Sequence, residues 1–279
     1  MSARRTVVVG IVGAGFAANL HLENYHLVHG VDVRVKGVAS LHPERSQGFA
    51  VRHGLERAYP TVDDLLADPE INLVDLCVPN YQHVPLIVRC AEAGKTVACE
   101  KPLTGFYGDG EPHVGQRFRR SEMLAGALAN ADRALTALER AGVRLLYAEN
   151  WIYSPNIQKA GRLVAQTGGS ILRIVGEESH SGTHSEYARQ WRYSGGGSLL
   201  NKGCHPLGAA LLLKYEEGRR KWGQPIRPAR VVAAVARLTK TRGFLADDEK
   251  FIREGWEDCE DWGSLLLTFE DETVAQITA

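Results

Sequence analysis

The chain has 279 residues, with 33 Lys plus Arg against 33 Asp plus Glu for a formal net charge of zero, and is 44% hydrophobic and 24% charged. These ordinary fractions belong to a globular chain long enough for one large domain or two ordinary ones, and the balanced charge gives no polyanion-binding surface, so no nucleic acid is expected. No apolar run approaches the about 20 residues of a membrane span, and "MSARRTVVVGIVGAG" enters a strand pattern without a signal-peptide layout, so no membrane association is expected.

In chain order, "TVVVGIV" is the β-branched run of a buried strand. "GAGFAANLHLENYHLVHG" reads as a glycine turn and a helix stopping at Gly30. "VRVKGVAS" is a second strand and "PERSQGFAVRHG" a helix between Pro43 and Gly54. "TVDDLLADP" is a short helix capped by Thr61, and "INLVDLCVP" a third strand. "YQHVPLIVRCAEAG" is a helix with Pro85 near its first turn, and "KTVACEKP" a fourth strand. "SEMLAGALANADRALTALERAG" is the clearest helix and "VRLLYAEN" a fifth strand. Such alternation predicts a doubly wound parallel sheet covered on both faces. The polar, glycine-rich stretch at residues 106–122 reads as a surface loop over the mouth of that sheet, either a lid or a plain insertion.

"GIVGAGFAA" carries dinucleotide-fingerprint spacing. Gly13 permits the tight turn, Gly15 lets the backbone approach a pyrophosphate, and Ala18 permits close helix–strand packing. Phe16 and Ala17 open the helix whose N-terminus faces the anion. The strand before and the helix after are the required context. The second strand ends in Ser40 rather than a carboxylate, with Arg45 five residues on. NAD or NADP is therefore expected, with a lean toward NADP.

At "EKPLTG" a resemblance to the Gfo/Idh/MocA oxidoreductase family becomes visible, and it spans the whole chain. The resemblance rests on the Rossmann start, "VPNYQH", "EKP" at a strand end, "AENWIYSP" at the junction, and the glycines that precede Asn201 and His205 in "SGGGSLLNKGCHPLGAALLLK". It implies a Rossmann domain over residues 1–149. A mostly antiparallel open-sheet α+β domain for substrate binding and oligomerisation would follow over 150–279, with the substrate between them. It also implies reversible hydride transfer at a secondary alcohol of a sugar, sugar acid, cyclitol or glycoside. Family members commonly form dimers or tetramers.

Residue by residue, the resemblance makes Lys101 the group that bonds the reacting oxygen, with Glu100 holding it and Pro102 in a cis peptide. Pro79 and Asn80 would lie near the nicotinamide ribose and His83 near the cofactor. His205 matches the active-site histidine, a residue suited to accept the hydroxyl proton. Many members carry aspartate where this chain has Asn201. A helical i, i+4 spacing would let Asn201 touch His205, although Pro206 disfavours that geometry. Some members have another aspartate where Gly208 stands. Glu149, at a strand end, is a candidate replacement or a hinge ion pair.

In the second half, "SPNIQKAGRLVAQTGG" reads as a helix, and "SILRIVGEESH", "ARVVAAVARLTK", "WGSLLLTFE" and "TVAQITA" as strands. Residues 179–197 are rich in His, Tyr, Trp and Arg and suit a polyhydroxylated ligand, with His180, His184, Tyr187 and Trp191 as candidates. No zinc pattern accompanies the two histidines, so no metal is expected. The glycines at 195–197 are expected to let backbone pass close to substrate and cofactor. The five cysteines are odd in number and include no C-x-x-C pair, as in a reduced cytoplasmic protein. The chain ends inside a strand, where family members continue, as a fragment or truncated product would. Two alternatives stand beside the dehydrogenase: a glycoside-cleaving enzyme with tightly bound NAD, and a cofactor-binding scaffold with a lapsed site.

Overall fold

The structure, a computed structural model, describes residues 6–279 except 184 and 254. The chain divides into two compact units, one of residues 1–104 and 124–148, the other of residues 105–123 and 149–279.

In the first unit, β1 (Thr6–Val12) leads through the glycine turn into α1 (Phe16–Tyr25). Then follow β2 (Asp32–Ala39), α2 (Pro43–His53), β3 (Arg57–Ala58), α3 (Val62–Ala67) and β4 (Leu73–Leu76). After these come α4 (His83–Glu92) and β5 (Thr96–Glu100). The short helix α5 (Val114–Arg117) and the first residues of α6 (Arg120–Ala141) belong to the second unit, and the rest of α6 leads into β6 (Leu145–Ala148) of the first. All pairings in the six-stranded sheet are parallel, in the order β3-β2-β1-β4-β5-β6. This is the doubly wound sheet that the alternating pattern predicts, with the two-residue β3 added. α1 ends at Tyr25 rather than Gly30, and residues 27 and 28 close turns onto Asn24 and Tyr25.

The period-2 alternation of β1 explains the two cores. Val8 and Val12 join one apolar cluster with Leu76, Ile87 and Leu138, while Val9 and Ile11 join the other with Ala18, Val38 and Phe49. Each face is therefore sealed by helices. Local signals set the helix ends. Thr61 and Asp64 form a reciprocal capping box at α3, and Gly54 closes α2 at φ 65°.

The second unit contains α7 (Pro155–Thr167), β7 (Arg173–Glu177), the short helices α8 (Trp191–Ser194) and α9 (Ser198–Asn201), and the long α10 (Cys204–Trp222). β8 (Pro228–Ala236), α11 (Arg242–Ala246), β9 (Trp262–Phe269) and β10 (Val274–Thr278) complete it. The mixed, mostly antiparallel sheet runs β7-β10-β9-β8, with β7 and β10 parallel. Ala210 of α10 packs on Leu267, Phe269, Ala275 and Ile277. The wholly buried Lys214 of α10 ties the helix to the sheet, with Nζ 2.8 Å from both Glu217 and Asp271.

Residues 106–122 are mostly exposed, as expected of a surface stretch, but a few of them anchor a small core. Val114 is fully buried in a satellite core with Met123, Trp191, Trp256 and Cys259, and Phe106 and Phe118 pack against it. The stretch looks polar because its few apolar residues are spread out, yet they converge on two tryptophans supplied from elsewhere in the chain.

Candidate functional site

At the turn after β1, Gly13 has φ 109°, and a Cβ there would sit 2.1 Å from the Cys77 carbonyl oxygen, so no other residue fits. A Cβ on Gly15 would meet nothing within 4 Å, while Ala18 is fully buried. Thus the first glycine is demanded by the protein's own backbone, and the second leaves open space at the start of α1. That helix has no side-chain cap and no acidic residue in its first turn. Its first N–H groups and positive dipole end suit a pyrophosphate, so the residues present fit a dinucleotide. Phe16, the first helical residue, is 71% exposed, and Ala17 follows it half-buried. Ser40 is committed locally: its hydroxyl donates to the His42 carbonyl and pairs with Ser46 Oγ, both at 2.8 Å. Arg45 is exposed in the first turn of α2.

The ends of β4 and β5 carry the second group of residues. Pro79 precedes a single 3-10 turn that begins with the buried Asn80. Lys101 follows β5 directly, half-buried, and its peptide bond to Pro102 is cis, as the family resemblance implies. The expectation for His83 is corrected. Its side chain is wholly buried, with Nδ1 2.9 Å from the Pro102 carbonyl and Nε2 3.0 Å from that of Val78. Burial pushes its pKa below the usual histidine value against the pull of those carbonyls. Both ring nitrogens brace backbone, which leaves no polar atom for a cofactor.

A cluster that sequence reasoning missed adjoins Lys101. His21 of α1 places Nδ1 2.9 Å from Asp75 Oδ2 and Nε2 3.0 Å from Glu100 Oε1. Tyr25, one turn further on, donates to the same Asp75 oxygen at 2.8 Å. The other Glu100 oxygen accepts the Lys101 backbone N–H at 2.9 Å. Burial disfavours a charged His21, yet its bonds to Asp75, Cys77 and Glu100 hold its pKa well above the histidine range. Glu100 is likewise held below its usual value, with burial opposing and His21 and Lys101 favouring the charged form. Among the described residues, His21, Asp75 and Cys77 have donor atoms within 4.8 Å of one another. Burial pushes the Cys77 thiol up to about 12. The signal for this cluster was Asp75 inside an apolar strand. A fully buried carboxylate must have partners.

In the second unit, His205 lies in the first turn of α10, where Pro206 is tolerated. Asn201 ends the separate helix α9, so the two do not share one helical face. The Asn201 amide donates to the carbonyls of Gly196 and Gly197, both at 2.9 Å. The partner of His205 is Glu149, whose Oε1 lies 2.5 Å from Nδ1. The two side chains are 8% and 4% exposed. The backbone N–H groups of Trp151 and Ile152 donate to the same carboxylate at 3.0 and 3.2 Å. Trp151 also stacks on the imidazole, with centroids 5.8 Å apart. Glu149 bonds through Nδ1, so the neutral ring carries its proton there and presents Nε2 as a base. A Cβ on Gly208 would lie 2.8 Å from Glu149 Oε2. Glycine at 208 makes the room in which this carboxylate sits.

The remaining candidates separate. Trp191 belongs to the satellite core, its indole donating to the Phe106 carbonyl at 2.9 Å under the Arg120 guanidinium, so it is no exposed sugar platform. Tyr187 is half-buried on a 3-10 turn, and the exposed His180 accepts the Gly182 N–H at 3.0 Å. His184 lies outside the described residues. The glycines at 195 and 197 serve protein packing, which corrects the expectation for them. Gly195 packs on Gly105 and Tyr107, and a Cβ on Gly197 would lie 2.1 Å from the Glu260 carbonyl oxygen.

Comparison with known proteins bears on this geometry. Residues 7–124 match the family described as "Oxidoreductase family, NAD-binding Rossmann fold", Gfo/Idh/MocA. The chain is 30% identical over 212 residues to myo-inositol 2-dehydrogenase of Thermotoga maritima, an alignment covering 75% of this chain and 55% of that protein. In fold it is similar to aldose-aldose oxidoreductase from Caulobacter crescentus, crystallised with glycerol. That match has TM-score 0.74 and 21% identity, and covers 99% of this chain and 71% of the other. It is similar also to GenD2 from gentamicin A biosynthesis, crystallised with NAD, at TM-score 0.73 and 23% identity, covering 99% and 66%. The chain spans little more than half the length of the curated relatives it matches. Among the described residues, no helix is long and apolar enough to cross a membrane.

Proposed function

From the premise that this chain belongs to the Gfo/Idh/MocA oxidoreductase family, we propose that it is an NAD(P)-dependent dehydrogenase acting on a secondary alcohol of a sugar, sugar acid, cyclitol or glycoside. The observation that carries the reading is the His205–Glu149 pair, a buried imidazole held through Nδ1 by a doubly anchored carboxylate. A lapsed site would have no need to keep a desolvated pair so placed, since burying a carboxylate costs stability unless its bonds are made.

A bound nicotinamide cofactor supplies the acceptor or donor of hydride. The residues of this chain handle the proton and the charge. His205 Nε2 takes the hydroxyl proton, and Glu149 stabilises the imidazolium that forms, the work that the family's aspartate would do at position 201. In the first unit, the Lys101 ammonium is the donor suited to stabilise developing alkoxide charge. Gly15, Phe16 and Ala17 would hold the pyrophosphate, with Gly13 shaping the turn and Pro79 and Asn80 expected on the ribose side. His180 and Tyr187 remain substrate candidates. We assign a preference for NADP on Arg45 and on the missing carboxylate at the end of β2, with Ser40 supporting α2 rather than the phosphate.

A panel of polyols, aldoses and cyclitols tests the reading, run against the purified protein with NAD and NADP separately and followed at the reduced-nicotinamide absorbance. Net reduction with at least one member, abolished in His205→Asn, is expected. Turnover unchanged in both His205→Asn and Lys101→Ala would overturn the assignment.

A further inference from the structure

Two features of the His21 cluster stand outside the roles just assigned. Both ring nitrogens face carboxylates, and one of those carboxylates touches the backbone of Lys101. Ionised carboxylates only accept hydrogen bonds, so a ring bonded to Asp75 through Nδ1 and to Glu100 through Nε2 must donate from both nitrogens, as an imidazolium does. The groups around it come from three elements: Tyr25 from its own helix, Asp75 from β4 with Cys77 just beyond that strand, and Glu100 from β5. Asp75 is fully buried and Glu100 four-fifths buried. Without a cation between them, two carboxylates there would repel one another and the pair would be desolvated without compensation.

We propose that His21 is a positioning residue for Lys101: by bridging Asp75 and Glu100 it holds the Glu100 carboxylate under the Lys101 N–H and offsets the negative charge next to the lysine. The chain of contacts is continuous within one unit, from His21 Nε2 to Glu100 Oε1 at 3.0 Å and from Glu100 Oε2 to the Lys101 nitrogen at 2.9 Å. The consequence is electrostatic as well as geometric. The Glu100 carboxylate and the Lys101 charge interact electrostatically. Removal of His21 is expected to leave that carboxylate uncompensated, which favours the charged form of a neighbouring amine. The functional meaning rests on Lys101 being the group that meets the reacting oxygen, whereas the electrostatic effect does not.

The experiment follows the Lys101 amine in the full chain by competitive acetic anhydride labelling and mass spectrometry across pH, which needs no turnover. In His21→Gln the labelling midpoint of Lys101 is expected to rise by about one pH unit. In the double variant His21→Gln with Glu100→Gln it is expected to return to within about 0.3 units of the parent. An unmoved midpoint in the single variant, or a double variant as displaced as the single, overturns the proposal. Should His21→Gln not fold, the unsubstituted protein decides by 15N NMR: both ring nitrogens of His21 protonated at pH 8 are expected, and a neutral ring overturns it. With a substrate in hand, His21→Gln should lower kcat about tenfold while KM for the cofactor stays within about threefold. Equal loss in both, with restoration absent in the double variant, would leave only a structural role. If Lys101→Ala retains turnover while the labelling shift is seen, the functional reading fails and the charge coupling stands.

Discussion

Two histidines with similar neighbours do different things in this molecule. His205 and His21 each bond a buried carboxylate through Nδ1, Glu149 in one unit and Asp75 in the other. At His21 the second nitrogen is taken by Glu100, whereas among the described residues Nε2 of His205 has no hydrogen-bond partner. A ring with one committed nitrogen keeps the other for a ligand, and a ring between two carboxylates is held as a cation. His83 also has both nitrogens engaged, but on neutral backbone carbonyls, and burial lowers its pKa instead. The charge of the partners, together with how many ring atoms they engage, separates the three histidines.

The largest expected effect sharpens this contrast. His205→Asn should lower turnover by about 10²–10⁴, the usual range for a positioned acid–base group, while near-UV circular dichroism stays unchanged. A loss no larger than that of His21→Gln would erase the distinction. Next, Lys101→Ala should cost about 10²–10³ in kcat, as expected for a donor aimed at developing oxyanion charge, with steady-state kinetics as the measure. Glu149→Gln keeps a hydrogen bond to Nδ1 but removes its charge. It should cost about 10–100-fold in kcat, read by steady-state kinetics. An unchanged kcat would assign the orienting role elsewhere.

A smaller effect concerns stability. The folded pKa of His21 is raised by Asp75, Cys77 and Glu100 despite the opposing burial. Its contribution to stability is therefore complete below the unfolded value of about 6.5 and declines as pH rises from there toward the folded value. His21→Gln should accordingly lower the melting temperature more at pH 5.5 than at pH 8.5, as read by calorimetry. An equal drop at both would mean that the ring is neutral. Smallest of all, Gly208→Ala crowds Glu149 Oε2 and should reduce kcat only several-fold while leaving the affinity for the reduced nicotinamide cofactor, read by fluorescence, unchanged.

Much of the first unit was legible because its signals are local. The β-branched run at Thr6–Val12, the glycine spacing after it, and the caps at Thr61 and Gly54 each act within a few residues. The small core anchored by residues 106–122 was not legible, because their apolar residues become a core only beside Trp191 and Trp256, far along the chain. A contact of Asn201 with His205 by i, i+4 spacing requires one continuous helix, which Pro206 disfavours. The break between α9 and α10 removes that continuity.

By itself, the sequence determined the alternating fold, the dinucleotide turn and the residue types available for chemistry, since strand period, glycine freedom and helix capping are properties of short segments. Only the tertiary structure decided the pairings: Glu149 with His205, Asp75 and Glu100 with His21, and Gly208 as the space that Glu149 fills. Those partners stand 56, 54 and 79 residues apart. A carboxylate acts through distance and desolvation, and neither exists until the chain has folded.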